Sequence, residues 1–304
     1  MPTPPTPGNW LALVTLGLLW GASFLGVALA LEGFGPLTVA AGRMSLAALA
    51  LIAVAQVLRV PLPGFGPAQD RRVWRFALAM GLLSNALPFF LLAWAQQHVT
   101  SGFAGVSMAA IPLFVMGLAH FLVPGEAMTR LKVAGFTLGL LGVLVLIGPG
   151  ALARSGAAAE PLARVLCFAA AASYACGAIV TRRCPPVHPL GFSVIALLAA
   201  SAMIVPVALW VEGVPSLPAD TRPLLALAYL GLGSTAAATL LLVGVIRSAG
   251  PSFLSQVNYH VPVWSVLLGV LVLNEALPPQ FLLAAGLILA GLALSRWRER
   301  RVMA

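Results

Sequence analysis

The chain has 304 residues, 61% of them hydrophobic and 8% charged, against a charged share of about 25% in ordinary soluble domains. So few charges cannot cover a soluble protein of this size, which excludes a globular cytosolic or secreted domain and leaves a polytopic membrane protein. The formal net charge of +9 is not a nucleic-acid footprint, because the arginines gather at the ends of apolar runs, as in "RRVWR" (71–75) and "RWRERR" (296–301). There they meet lipid headgroups, so the bilayer is an expected partner and nucleic acid is not.

In chain order the predicted elements are ten apolar runs, each of about 20 residues, the length that crosses the hydrocarbon core. They cover 10–31, 36–58, 74–95, 100–122, 130–148, 161–181, 189–210, 223–244, 250–273 and 278–296. Ahead of the first, "MPTPPTPGN" has no basic residue. It lacks the n-region of a secretory signal, so the first helix is expected to be retained. With both termini cytoplasmic, the inside segments carry Arg59, Arg71, Arg72, Arg75, Arg130, Lys132, Arg182, Arg183, Arg247 and the C-terminal arginines. The outside segments carry only Arg154, Arg164 and Arg222, so positive charge sets the termini inside. Cys167, Cys176 and Cys184 have no metal-ligand neighbours and read as packing residues, with no disulfide, metal or cofactor expected.

Aligning Pro112 with Pro262 brings "TSGFAGVSMAAIPLFVMGLAHFLVPGEAM" opposite "GPSFLSQVNYHVPVWSVLLGVLVLNEAL". The same offset sets Ser84-Asn85 opposite Ser234-Thr235. Each half then holds five helices, and an odd number forces the second copy to enter the membrane from the opposite side. The expected fold is all-α, with ten transmembrane helices in two inverted five-helix repeats (1–150 and 151–304) around a central cavity, an architecture of transporters.

The pattern resembles the drug/metabolite transporter superfamily in its ten-helix EamA branch. The pieces that carry the resemblance are "LLWGASFLGV" (18–27), "AGRMSLAALAL" (41–51), "IPLFVMGLAHFLVPGE" (111–126) and "VPVWSVLLGVLVLNE" (261–275). Together they span nearly the whole chain. The resemblance implies a multi-pass protein of the bacterial inner membrane that exports small metabolites, often amino acids. A proton-coupled exporter of drugs or toxic cations is the alternative, and nothing in the sequence implies more than a monomer.

Polar groups persist at membrane depth where they pair between helices or face a cavity. Ser84 and Asn85 lie mid-membrane in the third run, and Ser234 and Thr235 in the eighth. In the ninth, taking 100° per residue, Ser252, Ser255, Gln256, Tyr259 and His260 fall within an arc of about 140°, with Asn258 just outside it. Ser252, Ser255 and Thr235 suit interhelical hydrogen bonds or bonds to their own preceding turn. Gln256, Tyr259 and His260 are too many for a dry interface and are expected to face a cavity. The first-half counterparts of Asn258, Tyr259 and His260 are Met108, Ala109 and Ala110, so this polar face is not duplicated with the scaffold.

The expected substrate site is therefore Gln256, Asn258, Tyr259, His260, Ser84, Asn85 and Thr235, walled by the aromatics Trp20 and Tyr174. Such a pocket suits a hydrophobic or aromatic amino acid. Pro88, Pro112 and Pro262 each remove an N–H and free a carbonyl one turn back, as a plain kink or as a hinge. Arg43 lies inside the second run, where it can grip a carboxylate, snorkel outward or pair with Glu32. Its place in a motif common to carriers of unlike solutes favours a scaffold role. Glu126 and Glu275 precede the next helix in each half and read as caps. Gly17-xxx-Gly21, Gly135-xxx-Gly139 and Gly286-xxx-Ala290 present small faces that let helices approach closely.

Lys132, the one lysine, sits in no P-loop, so direct ATP use is excluded. All acidic residues fall in loops, tails or span ends, and His260 is the central titratable group apart from phenols and thiols. Facilitated flux is expected ahead of proton exchange through His260. An intramembrane enzyme would need clustered carboxylates, a His-rich metal set or a Ser/His pair, and a channel would need a charged ring or filter loop. Neither pattern occurs.

Overall fold

The computed structural model describes residues 6–64, 68–122, 129–147, 159–254, 256–276 and 280–302. These are helices and connecting turns, with no strand among the described residues. Among the described residues, seven helical segments are long and apolar enough to cross a membrane: Pro7–Ala30, Pro36–Val57, Arg71–Ala95, Ser101–Leu122, Glu160–Arg182, Pro189–Val211 and Arg222–Gly250. Three shorter apolar helices, Val133–Val145, His260–Leu273 and Phe281–Gly291, occupy the fifth, ninth and tenth runs. Helix α1 (Pro7–Ala30) begins where the Thr6 hydroxyl accepts from the Asn9 N–H at 3.3 Å. Helix α2 is Pro36–Val57, with proline in the first turn, where its missing N–H is harmless.

Four runs are not regular. The third consists of α3 (Ala68–Gly81), a π segment (Leu82–Ala86) and α4 (Leu87–Ala95). The fourth is α5 (Ser101–Ser107), a 3₁₀ turn (Met108–Ala110) and α6 (Ile111–Leu122). After α7 (Arg130–Ile147), α8 (Glu160–Arg182) and α9 (Pro189–Val211), the eighth holds α10 (Arg222–Ala228), a π segment (Tyr229–Ala237) and α11 (Ala238–Leu254). Gly250, near the end of α11, has φ 85° and ψ 165°, a conformation essentially reserved for glycine. It kinks the chain ahead of α12 (Val257–Leu273), and α13 (Phe281–Val302) follows. The Gln256 N–H reaches only three residues back, to Phe253 O at 3.1 Å. The run is thus divided between α11, which ends at Leu254, and α12, which begins at Val257, rather than being the one regular helix that the uniform 100° step assumed. Ser255 and the side chains of Ser252 and Tyr259 lie outside the described residues.

Glycines set the helix contacts. A Cβ added at Gly17 would lie 2.6 Å from the His260 Cβ, and one at Gly21 would lie 2.4 Å from the Trp264 Cβ. Both numbers rise together, so α1 and α12 run parallel. Gly42 faces Leu227 and Gly231 faces Leu46, which makes α2 parallel to the eighth run. The expected pair Gly135 and Gly139 meets Gly291, whose added Cβ would lie 2.5 Å from Gly135 O and Gly139 N.

The expected face Gly286-xxx-Ala290 is a correction. No described residue lies within 4 Å of a Cβ at Gly286, and Ala290 is exposed. Gly291 is about 140° round the helix from Gly286, so α13 offers α7 its other side. Leucine at Gly291 is accordingly expected to cost about 1–3 kcal/mol through overpacking. The same change at Gly286 should stay within about 0.5 kcal/mol. Thermal unfolding of the purified protein in detergent compares the two.

Two carboxylates tie helix ends together across long sequence separations. Glu212, the C-cap of α9, accepts from the Leu37 and Thr38 N–H groups at 2.8 Å each and from the Thr38 hydroxyl at 2.7 Å. Glu275 accepts from the Ser101 and Gly102 N–H groups at 2.7 and 3.0 Å. A helix N-terminus attracts an anion through its free N–H groups and its dipole. Glu275 is thus a cap, but of α5 rather than of the helix that follows it. Glu126 lies outside the described residues. Because α1 and α12 are parallel, Glu275 just beyond α12 and Glu212 beside the end of α1 sit at the same end of the bundle.

Candidate functional site

A cavity of about 440 Å³ lies among the helices, lined by residues of α1, α2, α4, α6, α8, α11 and α12 together with both π segments and the 3₁₀ turn. That volume is within the range of small-molecule sites. Of the residues expected there, Trp20, Ser84, Asn85, Tyr174, Thr235 and Asn258 line it, as does Pro262. Gln256 and His260 are not among the lining residues. His260 packs on Gly17 of α1, and Gln256 precedes the helix as its N-cap. The side chain of Tyr259 lies outside the described residues, as does Ser255. Pro88 is buried in the first turn of α4, directly after a π segment, and Pro112 is the second residue of α6, after the 3₁₀ turn.

The π segments aim the polar groups. In the third run Asn85 Nδ2 donates to the Met80 carbonyl, five residues back, at 3.3 Å. In the eighth, Thr235 Oγ1 donates to the Leu230 carbonyl, again five back, at 2.8 Å. The two bonds stand at the offset that aligns Pro112 with Pro262. A widened turn leaves carbonyls poorly matched, and a short side chain one wide turn on satisfies them. Ser234 shares the Leu230 carbonyl at 3.1 Å, and the Ser173 hydroxyl crosses from α8 to the Leu83 carbonyl at 2.7 Å.

Sequence reasoning left Arg43, Phe89 and Gln96 out of this wall. Arg43 is 7% exposed; it neither snorkels nor meets Glu32, whose partner is Arg222 at 4.0 Å. Its Nε donates to Thr235 Oγ1 at 2.8 Å, and its Cζ stands 3.9 Å from the Phe89 ring centroid. Phe89 in turn meets Tyr174 edge-on at 6.4 Å. Both amide atoms of Gln96 are buried with no hydrogen-bond partner among the described residues. No Asp or Glu lines the cavity among the described residues, and no cluster of three metal-ligating side chains occurs among them. The arrangement can bind a small solute between aromatic and apolar walls and a few fixed polar groups; it offers no paired acid and base for bond cleavage.

Comparison with known proteins agrees with this geometry. The family model described as "EamA-like transporter family" matches residues 7–148 and again 162–297. The chain is 27% identical over 285 residues to the Escherichia coli (strain K12) "Uncharacterized inner membrane transporter YedA", covering 93% of this chain and 89% of that one. It is 28% identical over 307 residues to a Salmonella typhimurium "Probable amino-acid metabolite efflux pump", with 94% of each chain covered. A "Probable terminal-alkyne amino-acid exporter" of Streptantibioticus cattleyicolor is 30% identical over 143 residues, 47% of this chain and 46% of that one. A crystal structure at 22% identity overlays with a TM-score of 0.68 over 96% of this chain and 99% of the other, a likeness of fold alone.

Proposed function

Because the chain belongs to the EamA-like transporter family of membrane proteins, we propose that it exports small metabolites, chiefly amino acids with apolar or aromatic side chains. It does so from the bacterial cytoplasm, by alternating access about the central cavity. The observation that carries this reading is the cavity itself: α1, α2 and α4 supply one part of its wall, α8, α11 and α12 the other. Two relatives bear names that specify amino-acid export or efflux, and Trp20, Phe24, Phe89 and Leu92 in the lining suit apolar side chains.

The architecture belongs to the same proposal: ten helices in two five-helix repeats, 1–150 and 151–304, inserted in opposite senses. In its favour are the two successive family matches, the paired π segments and the parallel packing of α1 on α12 and of α2 on the eighth run. Alternation across ten spans makes first and ninth parallel, and second and eighth likewise. The arginine bias favours both termini lying in the cytoplasm. Asn85, Trp20, Ser84, Thr235, Tyr174 and Asn258 form the substrate wall, with Pro88, Pro112 and Pro262 at the places where helices bend.

Flux runs down the solute's own gradient. A coupled carrier commonly keeps a carboxylate at membrane depth, and among the described residues the cavity has none. Purified protein in liposomes is expected to give saturable counterflow of one or more amino acids, chemically unchanged, with little response to an imposed proton gradient. Exchange no faster than in protein-free liposomes across all twenty would sink the reading.

A further inference from the structure

Five N–H donors radiate from a guanidinium in a fixed fork. In Arg43 only Nε–H has an acceptor, Thr235 Oγ1; no ion pair or further hydrogen bond to Arg43 exists among the described residues. Its face is covered by Phe89, which attracts the cation but accepts no N–H in the plane of the fork. Arg43 is nevertheless buried and lines the cavity. A charge held at that depth with most donors unmatched is costly unless an anion or water from the cavity completes it. The charge is also uncancelled, because no carboxylate stands in the lining among the described residues.

We propose that Arg43 is the anchor for the carboxylate of the transported solute. The planar fork matches a carboxylate in two parallel bonds. A monoanion fits better than a phosphate dianion, since among the described residues Arg43 is the single cationic side chain in a lining that is otherwise neutral and largely apolar. Gln96 is a second group with unmet demand: its carbonyl and amide are both buried, unpaired and part of the same wall. It supplies an acceptor for an ammonium or amide N–H, or a donor to a solute oxygen. The Arg43–Thr235 bond makes the anchor a bridge between α2 and the π segment of the eighth run, so a bound carboxylate is shared by both parts of the wall. This inference rests on the cavity being the transport site.

The test uses the full-length protein in liposomes. The amino acid that the wild type exchanges best serves as the reference solute, and its competitors are its own carboxamide, which lacks the negative charge, and its deamino acid, which keeps it. The deamino acid is expected to compete, and the carboxamide to be weaker than the parent by roughly ten-fold or more. Arg43→Gln should lose a similar factor in exchange, and Arg43→Lys should retain part of it by keeping charge without the fork. Equal competition by carboxamide and parent in the wild type overturns the anchor even where the variants do not fold. So does undiminished exchange by a folded Arg43→Gln protein. An absence of any saturable exchange in the wild type is a different result, which removes the transport reading and the anchor with it.

Discussion

Leucine in place of Gly21 is expected to stop exchange while leaving the chain in the membrane fraction. A Cβ at that position lies 2.4 Å from the Trp264 Cβ, 3.0 Å from the Val261 carbonyl oxygen and 3.2 Å from the Ser265 nitrogen. The last two are backbone atoms, so no rotamer change relieves them and α12 itself must move away from α1. It has little freedom to do so. On another side, Ser265 packs against Gly105 of α5, where an added Cβ would stand 2.0 Å from the Ser265 hydroxyl. Overpacking of this kind costs about 1–3 kcal/mol and forces backbone shifts.

The elements that shift carry Asn258, Val261 and Pro262 in the cavity wall, so the loss falls on transport rather than on one side chain. Exchange should drop by roughly ten-fold or more, the factor that about 1.4 kcal/mol gives. Leucine at Gly244, where an added Cβ meets no described residue within 4 Å, is the matched control and should exchange normally. Wild-type rates from the Gly21→Leu protein would mean that α1 and α12 do not approach so closely when the carrier works.

The membrane class, the seven long apolar spans and the small-residue contact of α1 were legible because each is a one-dimensional signal: run length, charge position, glycine spacing. The site was legible in part. Ser84-Asn85 and Ser234-Thr235 stood out as polar pairs at one offset, and all four residues line the cavity. The cause of that pairing was not legible, because a π turn comes from one residue too many in a helix and leaves no compositional mark. The same blindness explains the ninth run. Stepping 100° per residue presumes an unbroken helix, whereas α11 ends at Leu254 and α12 begins at Val257, and His260 ends against Gly17.

The surroundings of Arg43 were not legible for a different reason. Depth along a helix can be counted from sequence, but direction toward a cavity cannot, so a carboxylate grip, snorkelling and a pair with Glu32 all stayed open beside the scaffold role. Gln96 falls just past the end of the third run, where nothing in the sequence marks it; burial of both amide atoms without a partner among the described residues sets it apart.

Replacing both Glu212 and Glu275 by glutamine is expected to loosen and open the end of the bundle where they tie helix ends together. Each carboxylate accepts from two successive backbone N–H groups at the start of a helix, α2 or α5. A hydrogen bond to a charged group contributes about 1.5–3 kcal/mol, and the dipole adds about 0.3–1 kcal/mol. Glutamine keeps one acceptor oxygen but loses the charge and the second oxygen, so each substitution forfeits a good part of its clamp. Both clamps hold one end, and both join segments far apart in sequence. Losing them destabilises the conformation with that end shut relative to one with it open, and a shift of about 2.7 kcal/mol changes the ratio roughly a hundred-fold. Cysteine at Ile111, a lining position, reports the change once Cys167, Cys176 and Cys184 are replaced by alanine. A membrane-impermeant maleimide added on the side of Glu212 and Glu275 should label the double variant much faster than the parent. Added on the opposite side, it should label the variant more slowly. Equal labelling of variant and parent from both sides would show that these carboxylates cap helices without governing access, since a clamp on the closed end cannot be released without making the other state more frequent.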